Sequence, residues 1–421
     1  MTDGPRFSRR RLLGGLGATA LGAGALAVGG RDLLGDQLER AGASPAGEAV
    51  PFHGEHQAGI VTPAQDRLLF GAFDMLTDDR QALIDLLRAW TLASIRMTRG
   101  ETVGPDRGAL LAPPTDTGEA IGLGPAQLTI TFGFGPSLFD LDGNDRFGIA
   151  ANRPAQLAEL PAFAFDAINP GISNGDLCVQ VCADDPQVTF HALRNLTRIA
   201  KGVAGLRWSQ LGFGRTSSTG ADQSTPRNLM GFKDGTNNIR SDDEKLQRQA
   251  VWVQERDDPA WMRGGSYLVA RRIRMLIEVW DRSSLGDQEA TIGRDKIEGA
   301  PLGQKKEFDA VDLKQRGKDG RLAIPVNAHV RLAAPVTNGN EHMLRRGYSF
   351  TDGVDPRTAQ LDAGLFFLAY QRDPRVQFVA VQNRLAASDA LNEYIQHTAS
   401  ALFAVPPGVQ PGGWIGETLF T

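Results

Sequence analysis

Two cysteines in 421 residues leave little room for sulfur chemistry. Cys178 and Cys182 stand in DLCVQVCAD, a strand-like stretch in which Leu177, Val179 and Val181 share one face and the cysteines the other. Four strand residues span about 13 Å, whereas a disulfide needs its Cα atoms within about 7 Å. The pair therefore reads as two small buried thiols, and two cysteines give no zinc or iron–sulfur spacing. Basic clusters are scarce as well. The net charge is -4, with 45 Lys and Arg against 49 Asp and Glu, and no basic patch occurs beyond the extreme N-terminus. That argues against a nucleic-acid partner, which selects for a basic face. No segment after the N-terminal region reads as a membrane span. A dinucleotide site is excluded too, because GFG at Gly133 lacks the GxGxxG spacing.

The one basic run is at the start. Ser8–Leu13 reads SRRRLL, and a glycine-, alanine- and leucine-rich stretch follows from Gly14 to Gly30. This is the layout of a twin-arginine export signal, with an uncleaved anchor as the alternative. Ala41-Gly42-Ala43 is a candidate cleavage site, so residues 1–43 are read as signal and leader and the protein as periplasmic or extracellular. The rest of the chain, at 41% hydrophobic residues overall, suits about two domains.

Periodicity gives the order of elements. Asp66–Met75 reads as a strand, followed by a helix capped by Thr77 or Asp78 with Leu83, Leu86, Leu87, Trp90 and Ile95 at helical spacing. Gly100–Ala126 is a glycine- and proline-rich surface loop. Strands Gln127–Phe134 and Asp176–Ala183, a helix over Pro186–Gly202 and a strand over Leu206–Phe213 complete a β, α, β, β, α, β series. That is the ferredoxin-like order, two helices on one face of an antiparallel sheet. After the polar linker Arg215–Arg227 the rhythm returns: strand Tyr267–Trp280, helix Ser284–Lys296, strand-like pieces at Leu322–Ala333 and Leu365–Arg372, and helix from Pro374 to Ala401. The expected class is α+β, with two ferredoxin-like domains at 52–225 and 226–410 and no residue-level repeat.

Between the halves lies Gly231–Arg240, GFKDGTNNIR, in which two glycines frame Asp234. The backbone can turn sharply there and pass close to a large ligand, although an ordinary Asp-Gly turn would have the same bare pattern. Of the six histidines, His191 and His397 fall in amphipathic segments read as helix, His342 in a polar loop, and His53 and His56 in HGEH, either a metal pair or part of a structural arm. His329, in IPVNAHVRLAAP, has an apolar approach and suits either a core histidine or an axial ligand.

The longer strings resemble the dye-decolourising (DyP-type) haem peroxidases, in their secreted deferrochelatase-like branch. GFKDGT at 231–236, AHVRLA around His329 and MLRRGYS at 343–349 carry the resemblance, and GEHQAGI, TFGFGPSLF and QEATIGRDKIEGAPLG extend it from about His53 to Pro407. It implies one haem b per chain, with His329 as proximal iron ligand and Asp234 as the distal acid–base group. Arg345, favoured over Arg346, would be the distal cation. It also implies haem contacts from Gly235, Thr236, Asn237 and Ala334, Pro335 and Val336, and Asp373 as a candidate carboxylate behind His329. The haem pocket would lie mainly in the C-terminal half.

The implied partners are hydrogen peroxide and a reducing substrate such as a dye or phenolic, with iron-uptake partners or a homo-oligomer as further expectations. The implied activity is peroxidation, with iron release from haem, or non-enzymatic haem carriage, as alternatives. A free aspartate titrates near about 3.9, so an aspartate relay predicts faster dye oxidation at about pH 4 to 5 than at about pH 8. The six tryptophans and four tyrosines read as core, and none is nominated as a radical site.

Overall fold

Both faces of the early strands are apolar, and this sets the layering of the molecule. The computed structural model describes residues 48–104, 110–220, 223–257 and 259–421, so the leader and its SRRRLL run lie outside the described residues. β1 (Arg67–Met75), β2 (Thr129–Phe134) and β3 (Leu177–Ala183) are buried almost throughout. With β4 (Ala204–Arg215) they form an antiparallel sheet in the order β2-β3-β1-β4. One face packs under α1 (Arg80–Met97) and α2 (Pro186–Ile199). Each helix begins on an aspartate that accepts backbone N–H groups: Asp79, one or two residues after the predicted cap, and Asp185, followed by Pro186 at the first helical position.

The second sheet is built from β5 (Ser266–Met275), β6 (Leu344–Arg345), β7 (Tyr348–Asp355), β8 (Gln360–Gln371) and β9 (Ile395–Val405). Its long strands run in the order β9-β5-β8-β7, the same ferredoxin-like sequence of neighbours as in the first sheet. The two sheets meet at both margins, β4 with β7 and β2 with β9. Their facing sides share one apolar layer: Phe70 and Cys178 from the first sheet, Leu368 and Phe403 from the second. Cys178 and Cys182 are free, buried thiols within it. Ala46–Thr421 thus forms one compact unit. No helix among the described residues is long and apolar enough to cross a membrane.

The second half departs from its reading in five places. β5 stops at Met275, and Ile277–Trp280 is a helical turn. The next helix, α3 (Leu285–Ile292), is ended early by Gly293 at φ 90°, a left-handed cap that glycine adopts without Cβ strain. Leu322–Ala333 is no strand: Leu322 makes a single bridge to Arg316, and His329–Ala333 is the short helix α4. The long helix read from Pro374 to Ala401 is α5 (Phe378–Ser388), a 3-10 turn at Ala390–Glu393, and then β9. Pairing of β9 along β5 outweighs the local helical spacing, which places His397 on a strand. β7 was not anticipated at all.

Candidate functional site

Strand alternation aims the odd-numbered residues of β5 and β8 away from the inter-sheet layer. Arg271, Ile273 and Met275 on β5, and Leu365 and Phe367 on β8, line a cavity of about 270 Å³. It is closed by α3, α4, α5 and the central loop. The same alternation separates the two candidate arginines. Arg345 on β6 reaches the cavity, while Arg346 turns to the other face, is fully buried, and donates to the carbonyls of Ile60 and Thr62 and to Gln65 Oε1.

Asp234, Arg345 and His329 converge on this cavity. Arg345 Nη1 donates to Asp234 Oδ1 at 2.9 Å, and Asn228 Nδ2 makes a longer 3.4 Å contact with Oδ2. Gly235 holds a φ of 92°, and a β-carbon there would lie 2.9 Å from Ser217 Cα, so the turn admits only glycine without displacement. Asn238 ties the loop to the arginine: its amide accepts from Arg345 N at 2.8 Å and donates to Arg345 O at 2.8 Å. The main chain of Arg345 is thereby tied to the loop that carries Asp234.

On another wall His329 opens α4, and its Nδ1 lies 2.6 Å from Asp389 Oδ2. The other oxygen of Asp389 accepts Leu391 N–H at 2.9 Å, and the carboxylate is 2% exposed. Burial alone would lower the His329 pKa, but the charge and hydrogen bond of Asp389 more than reverse this and raise it. About a third of the imidazole is exposed, facing the cavity, and its Nε2 has no hydrogen-bond partner among the described residues.

Asp389 is therefore the carboxylate behind His329, in place of Asp373. Asp373 binds its neighbour Arg375 and stabilises a local turn. Gly235, Thr236, Asn237, Ala334 and Pro335 line the cavity, whereas Val336 faces solvent and is 69% exposed. His342, expected in solvent, is partly buried at the cavity wall, and burial lowers its pKa. His191 pairs with Asp116 at 2.9 Å inside the first half. His56 stacks on Trp252 with ring centroids 3.7 Å apart and contacts Gly264 O, the arrangement of a structural arm. No group of three or more His, Cys, Asp or Glu among the described residues is placed to hold a metal ion.

Sequence reasoning missed Asp389, Asn228 and Asn238. Asn238 stood in the central string and could have been found there; Asp389 carries no local signal beyond a helix-ending aspartate.

The chemistry of this lining suits a broad, flat, metal-bearing ring: a free imidazole nitrogen at one wall, an acid–guanidinium pair at another, and apolar sides such as Ile292, Phe378 and Val381 between them. Arg271 and Arg294 add buried cations that suit anionic substituents.

Comparison with known proteins agrees. Residues 57–214 match the family model described as Dyp-type peroxidase, N-terminal, and residues 225–410 its C-terminal counterpart. A deferrochelatase of Escherichia coli (strain K12) is 39% identical over 408 residues, covering 96% of this chain and 94% of the relative. The ferric DtpA structure from Streptomyces lividans is 42% identical with a TM-score of 0.81, covering 90% of this chain and 99% of that one. A DyP-type peroxidase from Cellulomonas bogoriensis is 41% identical with a TM-score of 0.79, covering 90% and 99%.

Proposed function

The chain belongs to the Dyp-type peroxidase family and is a haem-dependent enzyme, and from that premise we propose that Asp234 and Arg345 activate hydrogen peroxide in the cavity that His329 also lines. When bound, the haem supplies the iron at which peroxide is reduced and from which oxidising equivalents pass to a donor. His329 would hold the iron through Nε2, since Nδ1 is committed to Asp389. Asp234 Oδ1 is committed to Arg345, so Oδ2, with only the long contact from Asn228, is the oxygen free to take a proton from peroxide. The same oxygen returns it to the outer peroxide oxygen as that oxygen leaves. Arg345 stays cationic throughout and stabilises the charge that develops there.

The observation that carries this reading is the 2.9 Å pairing of Asp234 with Arg345 in the cavity that His329 also lines. Asp234→Asn should keep the Soret band and slow the reaction with peroxide by about 10²–10⁴-fold; an unchanged rate removes the relay. His329→Ala should lose or shift the Soret band, and an identical spectrum removes the ligand.

A second reading rests on the deferrochelatase name of the curated relatives: release of iron from haem with the porphyrin left whole. Incubation with haem, followed by fluorescence of metal-free porphyrin, separates the two, and absence of that fluorescence rejects the second. For location we propose export by the twin-arginine route, supported by SRRRLL and the apolar run after it. Replacing Arg9 and Arg10 by lysine should leave the protein in the cytoplasm.

A further inference from the structure

The proton transfer above makes no use of Glu307, yet its carboxylate bridges the loop that carries Asp234. It is only 11% exposed. Lys233 Nζ donates to Oε2 at 2.6 Å, and the Thr236 hydroxyl donates to Oε1 at 3.0 Å. These two donors flank Asp234 and Gly235, so one carboxylate spans the turn between them. The turn is pressed against the Ser217 backbone at Gly235, and its own side chains are mostly polar. A short polar loop of this kind depends on such cross-links for a fixed geometry.

The backbone of Glu307 is held in turn. Its carbonyl accepts from Arg294 Nη1 at 3.0 Å, and Arg294 lines the cavity. Burial pushes the Glu307 pKa up, but hydrogen bonds from Lys233, Thr225 and Thr236 outweigh it and hold the group below the ordinary glutamate value, which keeps it ionised. The charge has a second consequence. Lys233 is adjacent to Asp234 in sequence, and its ammonium is drawn onto Glu307, which leaves Arg345 as the cation bound to Asp234.

We infer that Glu307 is a positioning residue for peroxide activation, tethering Lys233 and Thr236 so that Asp234 keeps its place and Lys233 stays away from it. The inference rests on the reading of Asp234 as the proton relay. Glu307 is not among the residues lining the cavity, so it acts through the loop it tethers, which carries Asp234.

The test is the second-order rate constant for peroxide, followed by stopped-flow absorbance of the haem-loaded enzyme, in Glu307→Ala, Asp234→Asn and the double variant. Displacement of a reacting group by about 1 Å costs up to about a hundredfold, so Glu307→Ala should lose about ten- to a hundredfold while the KM for the reducing dye stays unchanged. Adding Glu307→Ala to Asp234→Asn should lose nothing further, because the two act as a unit. A second readout is amide hydrogen exchange over residues 231–238 in the same haem-loaded protein, expected to quicken in Glu307→Ala.

A wild-type rate in Glu307→Ala overturns the inference, as does an equal loss in both backgrounds or unchanged exchange. A wild-type rate in Asp234→Asn overturns the relay reading instead, and the exchange experiment still reports on the tether. Should Glu307→Ala fail to fold, Glu307→Gln and Thr236→Val each remove part of the bridge. Each should lose several-fold on the same constant, and wild-type rates in both overturn the inference.

Discussion

The two halves of the molecule follow one βαββαβ path but cover their sheets differently. In the first half α1 and α2 lie directly on the sheet, and Leu83, Leu87, Trp90 and Leu196 are fully buried there. In the second half the connection from Leu276 to Met343 replaces that first helix with a long excursion whose helical pieces are all short: the turn at Ile277–Trp280, α3, α4 and the 3-10 turn Pro335–Thr337. The excursion stands off the sheet, and the space it leaves is the cavity. One fold thus gives a sealed core where a helix fills the face and a binding site where loops arch over it. Polar side chains follow the same division: His329 comes from the excursion, Arg345 from β6 just after it and Asp234 from the central loop between the halves, none from the sealed half.

The sharpest way to break this contrast is to damage each half at its centre. Trp90 is fully buried, and its indole N–H donates to Leu196 O at 2.8 Å. Trp90→Ala should destabilise the protein by about 3–5 kcal/mol, measured by denaturant unfolding. The Soret spectrum of the fraction still folded should be unaltered; a changed spectrum would mean that the halves are not independent in function.

A smaller effect is expected from Asp389→Asn. The carboxamide keeps the shape but loses the charge that holds the His329 ring, so haem affinity or activity should fall by about ten- to a hundredfold. Asp373→Asn, which touches only the local turn and Arg375, should behave as wild type. Equal effects of the two would return the role of proximal partner to an open question between them.

Legibility in the sequence followed the same divide. The first half was readable because each element is decided locally: aspartate caps, apolar spacing on α1 and α2, and strands of the usual length. Even there, alternation was a poor guide to exposure, since β1 to β3 are covered on both faces and Thr131 and Gln180 are buried between sheet and sheet. In the second half, β9 reads as a continuation of α5 until its pairing with β5 is known, and α4 is too short for any periodicity.

Asp234 and His329 were reachable through motif strings. Asp389 was not, because it meets His329 only when the end of α5 folds back on α4. The separation of Arg345 from Arg346 needs only strand alternation, but that required knowing that Leu344–Arg345 pairs with β8.

The smallest expected effect compares two buried histidines, one in each half. His191 pairs with Asp116 at 2.9 Å. Burial would raise the Asp116 pKa, but N–H groups of Val103 and Gly118 and the His191 ring hold it below its ordinary 3.8. Its stabilisation is therefore complete above about 3.8 and is lost only as pH falls through the lower folded value. His397 is placed otherwise. The nearest acid, Asp166, lies 3.7 Å away but is already bound to the Arg271 guanidinium. Burial, with the Arg271 charge added, lowers the His397 pKa to about 3.

Between about 6.5 and 3 the unfolded chain binds a proton at His397 that the folded chain refuses, so stability falls as the solution is acidified. From pH 7.5 to pH 5.5 the loss from this one group should be on the order of 1 kcal/mol, while the His191–Asp116 pair contributes none from Asp116 over that range. Denaturant unfolding of wild type and His397→Leu at the two pH values isolates the difference. The variant should lose less stability than wild type on acidification, and parallel losses would place the acid sensitivity outside the cavity wall.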